Sequence, residues 1–290
     1  MITFIDTSGV FGRLSRNYKN ATFIAIQNGR RISSRLNSPS KNIIHEHYFC
    51  FGQNDIDLFD KWGYNAKQYH PIGSLRAGIS TTVYNELNNR NKYDICLISI
   101  WRPMKYKGHY EHKSHYQDLW DTFDRLNQFL CRYINDKNVK LCIAMRSALR
   151  LDYENAVIAE NEENYWKKIF NGNAILKPND MFKLTSYKAV QESRIVIGVA
   201  STLILEAFGM GKKILYCDFT GNNIFHDYNS SILFRENNYD KFAIRLNELR
   251  SESNNKYVKR NKKYAGYLMN NDLNNPPHIY IRNLINEYCL

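Results

Sequence analysis

The chain has 290 residues, with 40 Lys and Arg against 28 Asp and Glu, for a formal charge of +12. That length supplies one large or two ordinary domains with a substantial core, and the charge favours an anionic partner: a nucleotide, an acidic glycan, a phospholipid surface or nucleic acid. No apolar run approaches the roughly 20 residues that span a bilayer, the first residues carry no cleavable signal, and six cysteines without CxxC spacing suit a reducing cytoplasm better than a disulfide framework.

In chain order, Ile2–Ile5 reads as a strand, followed by a loop from Asp6 and a helix over Val10–Tyr18. Thr22–Ile26 is a second buried strand ending at Gln27-Asn28-Gly29, and the Ser-rich stretch 30–42 is a loop. Tyr48–Phe51 is a third strand, Asn54–Trp62 a short helix, and Lys67–Pro71 a fourth strand leading into Gly73-Ser74-Leu75-Arg76. Residues 1–80 thus form an abbreviated α/β lobe, and the polar, unpatterned residues 81–92 read as a linker.

A second lobe is expected over 93–275. Its strands are Tyr93–Ile100, Lys140–Met145, Ala174–Lys177, Ile195–Val199 and Lys213–Cys217, each an apolar run of the kind buried on both faces. Between them, Leu119, Trp120, Phe123, Leu126, Leu130 and Tyr133 recur at helical spacing within Tyr116–Tyr133, and shorter helices are expected over Glu162–Phe170, Leu184–Glu192 and Leu203–Met210. A helix at about Asp240–Arg250, a polar basic tract and a terminal helix within 276–290 complete the chain. The alternation of strand and helix predicts α/β architecture: two Rossmann-like parallel-sheet lobes facing a cleft.

Polar residues gather where strands end, which is where ligands of open parallel sheets bind. Ser201 or Thr202 caps the helix after the Ile195–Val199 strand, and the N–H groups behind that cap, with the helix dipole, favour a phosphate. Glu206, one turn on, is placed to accept sugar hydroxyls; an ordinary capped turn, with Glu206 tied to a nearby Lys or Arg, suits the same residues. Arg102 and Arg146 stand at two other strand ends. Asp6, or else His45 or His47, is a candidate general base, although a turn or cap role for Asp6 is the commoner reading. Gln27, Asn28, Gln53, Ser74 and Arg76 line the strand ends of the first lobe. His109, His112 and His115 fall in a polar segment that reads as a solvated loop rather than a metal site.

The run Ser201-Thr202…Glu206-Ala207-Phe208-Gly209-Met210-Gly211-Lys212-Lys213-Ile214-Leu215 resembles the donor-binding domain of GT-B glycosyltransferases. Together with Ile24-Ala25-Ile26-Gln27-Asn28-Gly29, Phe49-Cys50-Phe51-Gly52 and Gly73-Ser74-Leu75-Arg76-Ala77-Gly78, it resembles bacterial surface-carbohydrate biosynthesis proteins of O-antigen and capsule clusters across nearly the whole chain.

The resemblance implies transfer of a sugar from a nucleotide-sugar donor to a glycan or lipid-linked glycan acceptor, with no cofactor and no metal. It implies that Ser201 and Thr202 hold donor phosphate, that Glu206 binds ribose or sugar hydroxyls, and that Arg102 and Arg146 neutralise the leaving group. Many retaining enzymes of this kind carry a second Glu eight positions before the helix Glu; Gly198 stands there, which points to an inverting reaction. Such proteins usually have more sequence ahead of the first strand, so the chain reads as truncated by two or three βα units.

UDP-sugar 2-epimerases share the architecture but typically place Glu where this chain has Gln27. A polyol-phosphate transferase and a truncated, non-catalytic nucleotide-sugar-binding protein are further readings. The basic tract Lys256–Lys263 is a candidate for peripheral contact with an anionic membrane at the inner face of the cell, with a solvated helix face as the default. Specific nucleic-acid binding is not expected, because no basic stripe is interleaved with exposed aromatics.

Overall fold

Two parallel sheets organise the chain. The computed structural model describes residues 1–4, 9–18, 20–30, 44–62, 65–84, 91–102, 114–148, 153–180, 182–221 and 228–289. They divide into two compact units: Met1–Val83 with Phe208–Gly211 and Asn261–Leu290, and Tyr84–Ala207 with Lys212–Arg260.

In the first unit, β1 (Ile2–Thr3), β2 (Ile24–Ile26), β3 (Ile44–Cys50) and β4 (Asn65–Pro71) form a parallel sheet in sequential order β1-β2-β3-β4. The period-2 alternation of a strand sends Ile24, Ile26 and Phe49 to one face and Ala25, Tyr48 and Cys50 to the other. The first face is covered by α10 (Pro277–Cys289) through Ile281, Tyr280, Leu284 and Ile285, and the second packs on Phe59 of α2 (Gln53–Trp62). α1 (Gly9–Asn17) adds Phe11, whose ring meets Phe23 edge-on at 5.3 Å.

The C-terminal segment is seated by close backbone approaches. Asn270 N–H donates to Phe51 O at 2.8 Å, and a Cβ on Gly73, whose φ is +97°, would stand 1.9 Å from Asn270 O. Residues 261–275, expected in the second lobe, and the terminal helix therefore cluster with the first unit.

The expected linker is also corrected at its start, because residues 81–84 are the last turn of α3 (Leu75–Tyr84). Its Thr-rich sequence reads as polar loop, yet Ser80, Thr81 and Thr82 turn their hydroxyls back onto Ala77 O, Ala77 O and Gly78 O. Buried Ala77, Gly78 and Ser80 then fix the helix by packing that propensity does not register.

The second unit holds β5 (Tyr93–Ile98), β6 (Leu141–Ala148), β7 (Ala174–Asn179), β8 (Ser193–Gly198), β9 (Lys213–Cys217) and β10 (Leu233–Phe234). All pairs are parallel, and the order is β10-β9-β8-β5-β6-β7. Ile95, Leu97, Ile195, Ile197 and Leu215 have no exposed surface, as expected of a sheet covered on both faces. The helices are α4 (Ser114–Lys137), α5 (Tyr153–Phe170), α6 (Thr185–Gln191), α7 (Thr202–Gly209), α8 (Tyr239–Ser251) and α9 (Asn254–Leu268), with the ends of α7 from Phe208 and of α9 from Asn261 clustering with the first unit. The two-residue β10 was below the length that an apolar run signals, and α5 starts nine residues before the expected Glu162. Both lobes of the predicted architecture are thus present. No described helix is long and apolar enough to cross a membrane.

Candidate functional site

The order of the second sheet contains a reversal. From β5 the chain runs outward through β6 to β7, then returns to pair β8 on the other side of β5 and runs outward through β9 to β10. In doubly wound sheets the connections on either side of such a reversal go to opposite faces, leaving a crevice beyond the carboxyl ends of the two central strands. Here those strands are β5 and β8, and the chain leaving them carries Ser99–Arg102 and Val199–Thr202.

The turn after β8 is built by local constraints. Gly198 lets α7 close on the sheet, since a Cβ there would meet Ile204 Cδ1 at 2.9 Å and Ile98 Cβ at 3.3 Å. Ala200 takes φ 52°, the left-handed region that costs a non-glycine residue roughly 1–2 kcal/mol. Ser201 Oγ accepts from Leu203 N–H at 3.3 Å. Ala200, Ser201, Thr202 and Leu203 remain partly exposed, while Ile204 to Phe208 are buried. Leu203 N–H and Ile204 N–H both turn onto Ser201, to its Oγ and its carbonyl, so Ser201 caps the first turn of α7 while the apolar body of the helix is held in the core.

Arg102 is partly exposed just past β5, and Arg146 is exposed at the end of β6. Glu206 is 5% exposed, and Tyr187 of α6 donates to its Oε1 at 3.0 Å.

A group absent from the sequence reading lies beneath this rim. Glu162 of α5 is fully buried, and its Oε1 accepts from Ser99 Oγ at 2.5 Å, Arg146 N–H at 3.0 Å and Trp166 Nε1 at 3.1 Å. Its Oε2 accepts from Ser147 N–H at 2.7 Å. The signal was present: Ala159, Glu162, Trp166 and Phe170 share one helical face, and the other three are apolar and buried. Asp218, at the end of β9, is buried and accepts from the N–H and hydroxyl of Thr220.

The first-unit candidates separate into two groups. Gln27 is buried: its amide donates to Asp55 Oδ1 at 2.9 Å and Gly29 O at 3.2 Å, and its oxygen accepts from Phe51 N–H. Ser74 is buried and accepts from Ala77 N–H at the start of α3. Asn28, Gln53 and Arg76 are exposed, with Gln53 bonded to Asp57 one turn along α2.

His45 is 3% exposed, its ring 5.8 Å from Phe11 and 5.5 Å from Tyr48, and burial pushes its pKa down to about 4. His47 is buried too, 3.0 Å from His70, which also reaches Tyr280 OH at 3.2 Å. Burial, then the neighbouring His47, pushes His70 down to about 4. Asp6, His109 and His112, and the side chain of His115, lie outside the described residues. Among the described residues no three His, Cys, Asp or Glu side chains converge as metal ligands.

A family model described as "putative O-antigen biosynthesis protein" matches residues 24–275. No curated protein matches the chain. Among solved structures, the UDP-GlcNAc 2-epimerase of Neisseria meningitidis, bound to UDP-GlcNAc, is similar with a TM-score of 0.55 and 12% identity, over 94% of this chain and 72% of that one. A "putative UDP-N-acetylglucosamine 2-epimerase" from Listeria monocytogenes gives 0.54 and 12%, over 89% and 66%. The wall teichoic acid polymerase TagF gives 0.50 and 12%, over 93% and 69%. The chain thus spans about two thirds of the length of these proteins, and the likeness is one of fold: two parallel-sheet lobes of the GT-B kind.

Proposed function

We infer function from a premise, that this chain belongs to the O-antigen biosynthesis protein family whose model matches residues 24–275, and propose that it is a glycosyltransferase. It moves a sugar from a nucleotide-activated donor to a growing surface polysaccharide such as O-antigen, capsule or lipopolysaccharide. The observation that carries the reading is the partly exposed turn Ala200–Leu203 after β8, whose neighbour β5 leads to Arg102, at the reversal of strand order in the second sheet.

In this reading the N–H groups at the start of α7, with the Ser201 and Thr202 hydroxyls, hold the donor phosphate. Arg102 and Arg146 offset the charge that builds on the departing phosphate. Glu206, steadied by Tyr187, is the carboxylate that receives ribose or sugar hydroxyls. The reaction is a direct displacement: a base takes the acceptor hydroxyl proton, the acceptor oxygen bonds to the anomeric carbon, and the nucleotide leaves with the bonding pair. Gly198 supports this inverting course, since it stands where many retaining enzymes carry a second glutamate, and Ile204 and Ile98 would have to shift to admit even a Cβ there.

The enclosed imidazole of His45 is a poor base, so that role goes to Asp6, which the sequence supplies. Asn28, Gln53 and Arg76, exposed at the strand ends of the first unit, are proposed acceptor contacts. The exposed Lys256, Lys259, Lys262 and Lys263 of α9 are proposed to rest on an anionic membrane surface that carries the acceptor.

A thermal-shift panel of UDP, GDP, CDP, CMP and dTDP sugars tests the reading. One nucleotide is expected to stabilise the protein in a concentration-dependent way, by about 2.7 kcal/mol at a hundred times its Kd. Stabilisation by none of them would refute it. Conversion of the sugar without any acceptor would assign the chain to the epimerases instead.

A further inference from the structure

We propose that Glu162 is a positioning residue of the donor crevice: it ties the exits of β5 and β6 into one rim and so sets where Arg102 and Arg146 stand. The inference rests on the glycosyltransferase reading for its function, though its geometry is independent of that reading.

The two strands lose their mutual backbone bonds where the rim begins. Their register pairs end at Ile98 and Ala144, and Ser99 N–H to Ala144 O at 3.0 Å is the next bond beyond them. Between Ala144 and Ala148 the pairing of β6 with β7 is also irregular. Past that point Glu162 takes over. It reaches the β5 exit through the Ser99 hydroxyl and the β6 exit through the Arg146 and Ser147 amides, with Trp166 bracing it from its own helix.

The Ser99 hydroxyl hydrogen is committed to Glu162, so its oxygen turns a lone pair outward and accepts from Trp101 N–H at 3.1 Å. One carboxylate thereby fixes the amide of Trp101, the residue before Arg102, through Ser99, and the amide of Arg146 directly. All four of its donors are neutral groups, so the carboxylate is satisfied without drawing on the guanidinium of Arg102 or Arg146. An apolar residue of the same volume would fill the space but leave the Arg146 and Ser147 amides and the Ser99 hydroxyl without an acceptor.

The test is Glu162→Gln, which keeps the volume and replaces one acceptor oxygen with a donor. Amide exchange at Trp101, Arg146 and Ser147 is expected to rise on the order of tenfold, and the Kd for the nucleoside diphosphate picked out by thermal shift to rise by a similar factor. Arg102→Ala is then expected to cost less affinity in the Glu162→Gln background than in the parent, because the guanidinium is already displaced.

Unchanged exchange at those three amides would overturn the proposal whatever the nucleotide does. Faster exchange with unchanged affinity would reduce Glu162 to a structural group and overturn it too. If the parent protein binds no nucleotide, the transferase reading falls, and the amide measurement alone decides whether Glu162 holds the rim. Should Glu162→Gln fail to fold, Ser99→Ala removes a single tie: faster exchange at Trp101 and weaker binding support the proposal, and parent-like values for both overturn it.

Discussion

The sheet of the first unit runs in one direction, β1-β2-β3-β4, whereas that of the second reverses between β5 and β8. Both are parallel, yet β3 and β4 of the first carry His45, Glu46, His47, Lys67 and Gln68, where β5, β8 and β9 of the second are mostly apolar and buried. Their strand ends differ as well. In the first unit Gln27, Asp55 and Ser74 are buried and bonded to one another or to nearby backbone. In the second, Ala200–Leu203 stay partly exposed on a turn that carries a left-handed alanine. Polar residues at the ends of strands thus serve two purposes, closing a fold and opening a site.

Acid should break the first unit before the second. His45 and His70, both 3% exposed, have pKa values pushed down from about 6.5 to about 4 by burial, so the unfolded chain takes up their protons first. Their stabilisation is complete above about pH 6.5 and is lost as pH falls toward 4, by on the order of 3 kcal/mol for each group. Denaturation midpoints at pH 7.5, 6 and 4.5 check this, and replacing His45 with Phe should flatten the curve. Acid sensitivity unchanged by that substitution would place its origin elsewhere.

Gly73→Ala should cost about 3 kcal/mol or more, because the new Cβ would fall 1.9 Å from Asn270 O at a φ of +97°. Urea denaturation measures the loss, and a cost below 1 kcal/mol would mean that the C-terminal segment is not seated on Gly73. Arg102→Ala, by contrast, should leave the melting temperature within a degree or two and weaken nucleotide binding by about 2 kcal/mol, the range of a charge-assisted hydrogen bond. A titration that finds equal affinity would remove Arg102 from the site. The smallest effect is expected at Ala200→Gly, where relief of the left-handed backbone and the added freedom of the unfolded chain nearly offset, for a net gain of about 0.5 kcal/mol.

The strands were legible because a run such as Ile195–Val199 is too apolar to be anything but buried, and Gly198 and Ser201-Thr202 marked the turn behind it. Strand order was not, since the pairing of β5 with β8 joins residues about a hundred positions apart. Glu162 hid for a related reason. As the first residue of the expected helix Glu162–Phe170, a glutamate reads as solvated, and only Ser99, Arg146 and Ser147, brought to it by the fold, turn it into a buried acceptor. α3 was masked by its hydroxyls, and Lys256–Lys263 read as a polar tract because the face of α9 that carries Tyr257, Asn261 and Leu268 is buried by tertiary contacts.

The most direct test of the donor site is residue-resolved amide NMR of the intact protein titrated with the stabilising nucleotide. Saturable shifts are expected at Ala200, Ser201, Thr202 and Leu203, with Arg102 responding at the same concentration. Shifts confined to the strand ends of the first unit, with Ala200–Leu203 unmoved at saturation, would contradict the assignment of that site.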